Sequence, residues 1–93
     1  MREKQIEQKL VQAVRKSGGM CLKFVSPNFD GMPDRLILLP GGKIAFAELK
    51  ALSKKPRPLQ LARHKTLMKI GFHVYVIDSI EQIGAILDEI QSP

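Results

Sequence analysis

The chain has 93 residues, 44% of them hydrophobic, which is enough for one compact domain over positions 1–93 and too few for two. No apolar run approaches the ~20 residues of a membrane-spanning helix, and the charged, periodic start MREKQIEQKL reads as a helix rather than a signal peptide. Fifteen Lys plus Arg against nine acids leave a net charge of +6, which favours a polyanionic partner such as nucleic acid; with no Trp and one Tyr, phosphate contact is expected over base stacking.

Glu3 to Lys16 carries Ile6, Leu10 and Val14 at four-residue spacing, which predicts a helix stopped by Ser17-Gly18-Gly19. Met20 to Val25 is short, apolar and strand-like. It contains the single cysteine, Cys21, which reads as a small core residue and fits a reducing interior. Ser26 to Met32 has turn chemistry throughout. Arg35 to Leu39 and Lys43 to Leu49 are two strands around Pro40-Gly41-Gly42, and Ala51 to Pro58 is a basic loop with two prolines. Leu59 to Ile70 is a second helix ended by Gly71. Phe72 to Ile77 is a strand, and Asp78 or Ser79 caps a last helix from Ile80 to Ile90. Helices then flank a mixed sheet of about four strands, an α/β layer architecture.

The hairpin places charge in an unusual position. A three-residue loop sets Leu39 against Lys43 and Asp34 against Glu48, on one sheet face with Cβ atoms about 5 Å apart. Leu36, Leu38, Ile44, Phe46 and Lys50 share that face, so it is apolar along most of its length and ionic at one end. A two-residue loop would oppose Asp34 to Leu49 and send the two acids to opposite sides; the Gly pair suits the longer loop. Carboxylates this close need a shared proton or a cation between them. Oxygen ligands without a His or Cys cluster favour Mg²⁺ or Mn²⁺ over zinc. Lys50 would stand beside the ion to hold or deprotonate a water, or to steady a phosphate oxygen. These are the parts of metal-assisted phosphodiester hydrolysis. Acids at strand ends and Glu-x-Lys pairs are also ordinary solvated features, and it is the joint pattern that points to chemistry.

Pro33-Asp34 and Glu48-Leu49-Lys50 resemble the two half-motifs of the PD-(D/E)xK nuclease superfamily. The local form Gly31-Met32-Pro33-Asp34-Arg35, together with Gln60 and His64 in the second helix, resembles the virus-type replication-repair nuclease (VRR-NUC) domain of stand-alone phage or bacterial type. The resemblance covers Ile6 to about Ile77. It implies a restriction-endonuclease-like αβββαβ core. It also implies that Asp34, Glu48, the Leu49 carbonyl and Glu7 bind Mg²⁺, with Mn²⁺ as a substitute, and that Lys50 positions or activates water while Gln60 reaches the site. Glu7 lies beside the inward stripe of its helix, though an exposed helix acid would read the same way. Gln60 could equally be a polar residue of a first helical turn, and His64 a helix-surface or core-edge histidine. Arg35 has the opposite pleat direction and is expected to serve packing or an interface. Lys54, Lys55 and Arg57, with His64 and Lys65, would track a DNA backbone, although a charge run is often only solvated surface.

The expected activity is metal-dependent endonucleolytic cleavage of branched DNA in DNA repair. The expected form is a homodimer that resolves four-way (Holliday) junctions, because one small copy offers a narrow surface and a two-fold pair matches a junction's symmetry. A flap or nicking nuclease of a repair complex, or a non-catalytic DNA-binding module of the same fold, are the alternatives. No membrane and no small-molecule cofactor are expected, and the setting is the cytoplasm of a bacterial cell or phage-infected host.

Overall fold

A computed structural model describes residues 2–93 and places the elements in the expected order. Helix α1 (Glu3–Lys16) is followed by strands β1 (Met20–Lys23), β2 (Arg35–Leu39) and β3 (Lys43–Leu49). Helix α2 (Pro58–Lys69) leads to β4 (His73–Ile77), and helix α3 (Ile83–Gln91) closes the chain. The four strands form one mixed sheet in spatial order β1-β2-β3-β4. The first three are antiparallel neighbours, and β4 runs parallel to β3, so α2 is the crossover that a parallel pair requires. This is the mixed four-stranded α/β sheet that the hydrophobic pattern predicts.

The register is the one set by a three-residue hairpin loop. Leu39 pairs with Lys43 and Arg35 with Ala47, so the next position brings Asp34 level with Glu48. Gly41 and Gly42 both hold positive φ, 86° and 73°, which side chains other than glycine rarely adopt. The turn therefore depends on that glycine pair, and so does the shared face of the two acids.

One face of the sheet is dry. Ile6, Leu10 and Val14 of α1 are fully buried, and they meet Ile37, Ala45 and Ala47 from the central strands, with Ile83, Leu87 and Ile90 of α3 completing the layer. Cys21 belongs to this core, and burial pushes its thiol pKa up, as befits a small apolar packer rather than a nucleophile.

The differences from expectation are local. β1 ends at Lys23 rather than Val25, although the Phe24 N–H still bonds the Asp34 carbonyl at 2.8 Å, because the Ser26–Phe29 turn takes over the backbone there. α2 begins at Pro58, whose fixed φ and missing N–H suit a first helical position. The final helix opens with a 3-10 turn, Ile80–Gln82. Neither the Asp78 nor the Ser79 side chain caps it. The Gln82 side chain instead accepts the backbone N–H groups of both, at 2.8 and 3.1 Å. Among the described residues, no helix is long and apolar enough to cross a membrane.

Candidate active site

The second face of the sheet carries the candidate chemistry, at the end where β2 begins and β3 finishes. Asp34 is held by the backbone of the neighbouring strand: the Leu49 N–H donates to its Oδ2 at 2.9 Å. Glu48 is 1% exposed, an unusual place for a carboxylate. Its Oε2 accepts a hydrogen bond from Gln60 Nε2 at 2.9 Å and lies 3.5 Å from Lys50 Nζ. Its Oε1 is buried with no hydrogen-bond partner, and the equally unpartnered His64 Nε2 stands 3.5 Å away.

Burial raises the Glu48 pKa first, and the charge and hydrogen bond of the adjacent Asp34 carboxylate raise it further. Lys50 pulls it back only in part, leaving it at about 7. The His64 pKa is pushed down, by burial first and then by the Lys50 ammonium, with the Asp34 carboxylate opposing in part. The arrangement crowds two acids beside one ammonium and leaves a buried carboxylate oxygen unsatisfied. A cation would relieve both the repulsion and the orphaned lone pair.

One helix, α2, and the loop before Asp34 hold these groups. α2 is anchored by Gln60, whose Oε1 accepts the Arg57 N–H at 2.8 Å while its Nε2 holds Glu48. One buried amide thus caps the helix and orients the carboxylate. Gly31 begins the run into Asp34 at a φ of 90°, and a Cβ there would come within 2.8 Å of Leu59 Cγ and 3.1 Å of Arg63 Cγ. The glycine therefore lets the loop before Asp34 close onto α2. Arg63, a residue with no sequence signal of its own, clamps that loop: its Nε donates to the Asp30 carbonyl at 2.7 Å and its guanidinium stacks over the Phe29 ring at 3.8 Å.

The structure brings Asp34, Glu48, Lys50 and Gln60 together. Glu7 stands on α1, over the opposite face, where its Oε2 accepts from Arg35 Nε at 2.8 Å. Arg35 also donates to the Cys21 carbonyl at 3.1 Å, so its expected packing role is met by tying α1 to the sheet. Glu7 and Asp34 nevertheless line one cavity of about 330 Å³ at the sheet's end, together with Glu3, Lys23, Phe24 and Val25. Among the described residues, no three His, Cys, Asp or Glu side chains are arranged to hold one metal ion by themselves. The metal ligands this site could offer are therefore two carboxylates and backbone carbonyl oxygen, with Glu7 across the cavity. His64, which the family resemblance sets on a DNA-facing track, is 4% exposed and faces Glu48, because the buried stripe of α2 runs through Gln60, His64 and Leu67. Lys54, Lys55, Arg57 and Lys65 are exposed, the first three in the loop between Lys50 and α2.

A mixed sheet with two acids and a lysine at one end, backed by a glutamine from the crossover helix, defines the PD-(D/E)xK nuclease class. Comparison with known proteins agrees. The chain is 51% identical over 87 residues to the protein named "Putative nuclease p44" from Acyrthosiphon pisum secondary endosymbiont phage 1, spanning 94% of this chain and 92% of that one. It superimposes on a solved VRR_NUC domain with a TM-score of 0.87 and 29% identity, covering 95% and 97% of the two chains. No protein-family model matches the chain. The chain belongs to the VRR-NUC family of nuclease domains.

Proposed function

We propose that this VRR-NUC domain is a divalent-metal-dependent endonuclease that hydrolyses phosphodiester bonds in branched DNA and works as a homodimer on four-way junctions. The observation that carries the reading is the buried Glu48 carboxylate, which is held by Gln60 and Lys50, crowded by Asp34, and left with one unpartnered oxygen.

Asp34, Glu48 and the Leu49 carbonyl would hold Mg²⁺ or Mn²⁺, both of which prefer oxygen donors; Glu7 would contribute from across the shared cavity. Bound there, such an ion supplies Lewis acidity at a phosphoryl oxygen and makes its water a nucleophile near neutral pH. The chain's own groups do the rest. The Leu49 N–H fixes Asp34, and Gln60 Nε2 fixes Glu48, so both carboxylates are oriented before substrate arrives. The Lys50 ammonium steadies the attacking water and offsets negative charge as the phosphate becomes pentacoordinate. Lys54, Lys55 and Arg57 are exposed in the loop between Lys50 and α2 and would hold the DNA backbone.

The dimer rests on size and symmetry: one site on a 93-residue chain addresses one strand, whereas resolution needs two paired cuts. Labelled junction, flap and duplex DNA, incubated with Mg²⁺, Mn²⁺ or EDTA, test the reading. Paired nicks in the junction with either ion and none in EDTA are expected. Preferential cutting of the flap would select the flap nuclease instead. Tight binding without cleavage under any divalent ion would select a non-catalytic module.

A further inference from the structure

A groove of about 570 Å³ lies where α1 meets strands β1 and β2, on the side of the sheet opposite α2. Its walls carry four cations, Lys4 and Arg15 from the helix and Lys23 and Arg35 from the strands, against one acid, Glu7. Lys4, Gln8 and Arg15 recur at helical spacing and share one stripe of α1 along the groove. Lys23 and Arg35 are directly opposed in the β1–β2 register.

These charges are not balanced within the fold. Glu7 is engaged by Arg35 at 2.8 Å, and among the described residues Lys4, Arg15 and Lys23 make no ion pair. Like charges directly opposed on neighbouring strands destabilise a sheet. Glu7 offsets Arg35 and leaves Lys23 beside it uncompensated. Exposed lysines are ordinarily solvated surface, and what separates these is their place. The groove adjoins the cavity beside Asp34, since Glu7 and Lys23 line both.

We propose that this groove is a phosphate track, along which a DNA strand leaving the active site runs beside α1. Lys4 and Lys23 hold the backbone at the end near the site, and Arg15 at the far end. The inference rests on the nuclease reading and deepens it with a substrate-binding surface outside the basic loop and α2. Three features select a nucleic-acid backbone as the occupant. From Lys4 to Arg15 the helix rises roughly 16 Å at about 1.5 Å per residue, more than one phosphate needs and enough for several at about 3.4 Å per nucleotide of a strand. The lining offers cations and amides and no aromatic side chain, which suits phosphates rather than bases. The acids gather at the site end: Glu3 and Glu7 share the cavity with Asp34, while from Gln8 to Arg15 the groove has none. The loop with Lys54, Lys55 and Arg57 leads into α2 on the other side of the sheet, so the two cationic surfaces would hold DNA from both sides of the sheet's end.

Fluorescence anisotropy of a labelled four-way junction in EDTA, repeated over a series of salt concentrations, tests the track. Lys4→Ala, Arg15→Ala and Lys23→Ala are each expected to reduce the slope of log affinity against log salt by about 0.9, one phosphate contact apiece, and the triple variant by about 2.7. Lys9→Ala and Lys16→Ala remove the same charge from a neighbouring part of α1, which lines a separate cavity beside α3, and should leave the slope unchanged. Far-UV circular dichroism checks that every variant stays folded. Equal reductions in the two sets would mean a general charge effect and overturn the proposal, as would an unchanged slope in the groove variants. Groove variants that lose slope in a protein that never cuts with any divalent ion would sink the nuclease reading and leave the track standing. Cleavage by a protein whose groove variants keep the wild-type slope would do the reverse.

Discussion

The two faces of the sheet are made of the same strands and serve opposite ends. The face under α1 and α3 is closed: Ile6, Leu10, Val14 and Ile37 are fully buried, and no acid enters that packed layer. The face under α2 is half open and carries a buried acid, a buried histidine and an unpartnered carboxylate oxygen. Alternation along β3 alone makes the distinction, since Ala45, Ala47 and Leu49 go one way and Ile44, Phe46 and Glu48 the other. The comparison teaches that a domain this small assigns its stability to one side and leaves the strained chemistry to the other.

The largest effect that would sharpen this contrast is on catalysis. Lys50→Ala or Asp34→Asn, both on the functional side, should lower junction cleavage by a thousandfold or more, on the order expected when a positioned catalytic group is removed. Junction binding measured by gel shift should persist. Normal cutting by both variants would show that the site lies elsewhere.

On the closed side, Leu10→Ala should cost about 2–5 kcal/mol in urea unfolding, because it empties a fully buried position. Leu22→Ala on the open face should cost well under half as much in the monomer, and equal losses would erase the distinction between the faces.

The third effect is pH-dependent. The folded state holds Glu48 at about 7 against an ordinary 4.5, so folded chains bind more protons than unfolded ones between those values. The metal-free protein should therefore lose the Glu48 contribution as pH rises from about 4.5 to 7. His64, whose pKa is lowered, acts in the opposite direction below its ordinary value. Comparing wild type with Glu48→Gln isolates the carboxylate. In EDTA the variant should be the more stable, by on the order of 3 kcal/mol above pH 7, with the gap shrinking toward pH 4.5. A gap that does not vary with pH would contradict the burial of Glu48 and its crowding by Asp34. Mg²⁺ should narrow the gap by stabilising only the wild type.

The smallest effect concerns the loop. Lys54→Ala and Lys55→Ala should each weaken DNA binding only modestly and reduce the salt dependence of binding by about one phosphate contact. An unchanged salt slope would make these lysines plain solvated surface.

Most of this fold is legible in the residues. The four-residue spacing of Ile6, Leu10 and Val14 fixes α1 and its inward stripe, and Pro40-Gly41-Gly42 fixes the turn that puts Asp34 level with Glu48. Local sequence determines these because helix period, strand alternation and turn geometry are short-range properties of the backbone. Residues with long-range partners are not legible. The Arg35–Glu7 pair spans 28 positions and the Arg63 clamp on Asp30 spans 33, and nothing in either neighbourhood announces its partner. Sequence places His64 at a helix surface or core edge, but only the packing of α2 against the sheet turns it toward Glu48. The sequence by itself determined which elements form and which side chains share a face. Only the tertiary structure decided which carboxylate lost its water and which face of the sheet was left half open, because desolvation depends on what the rest of the chain lays over a surface.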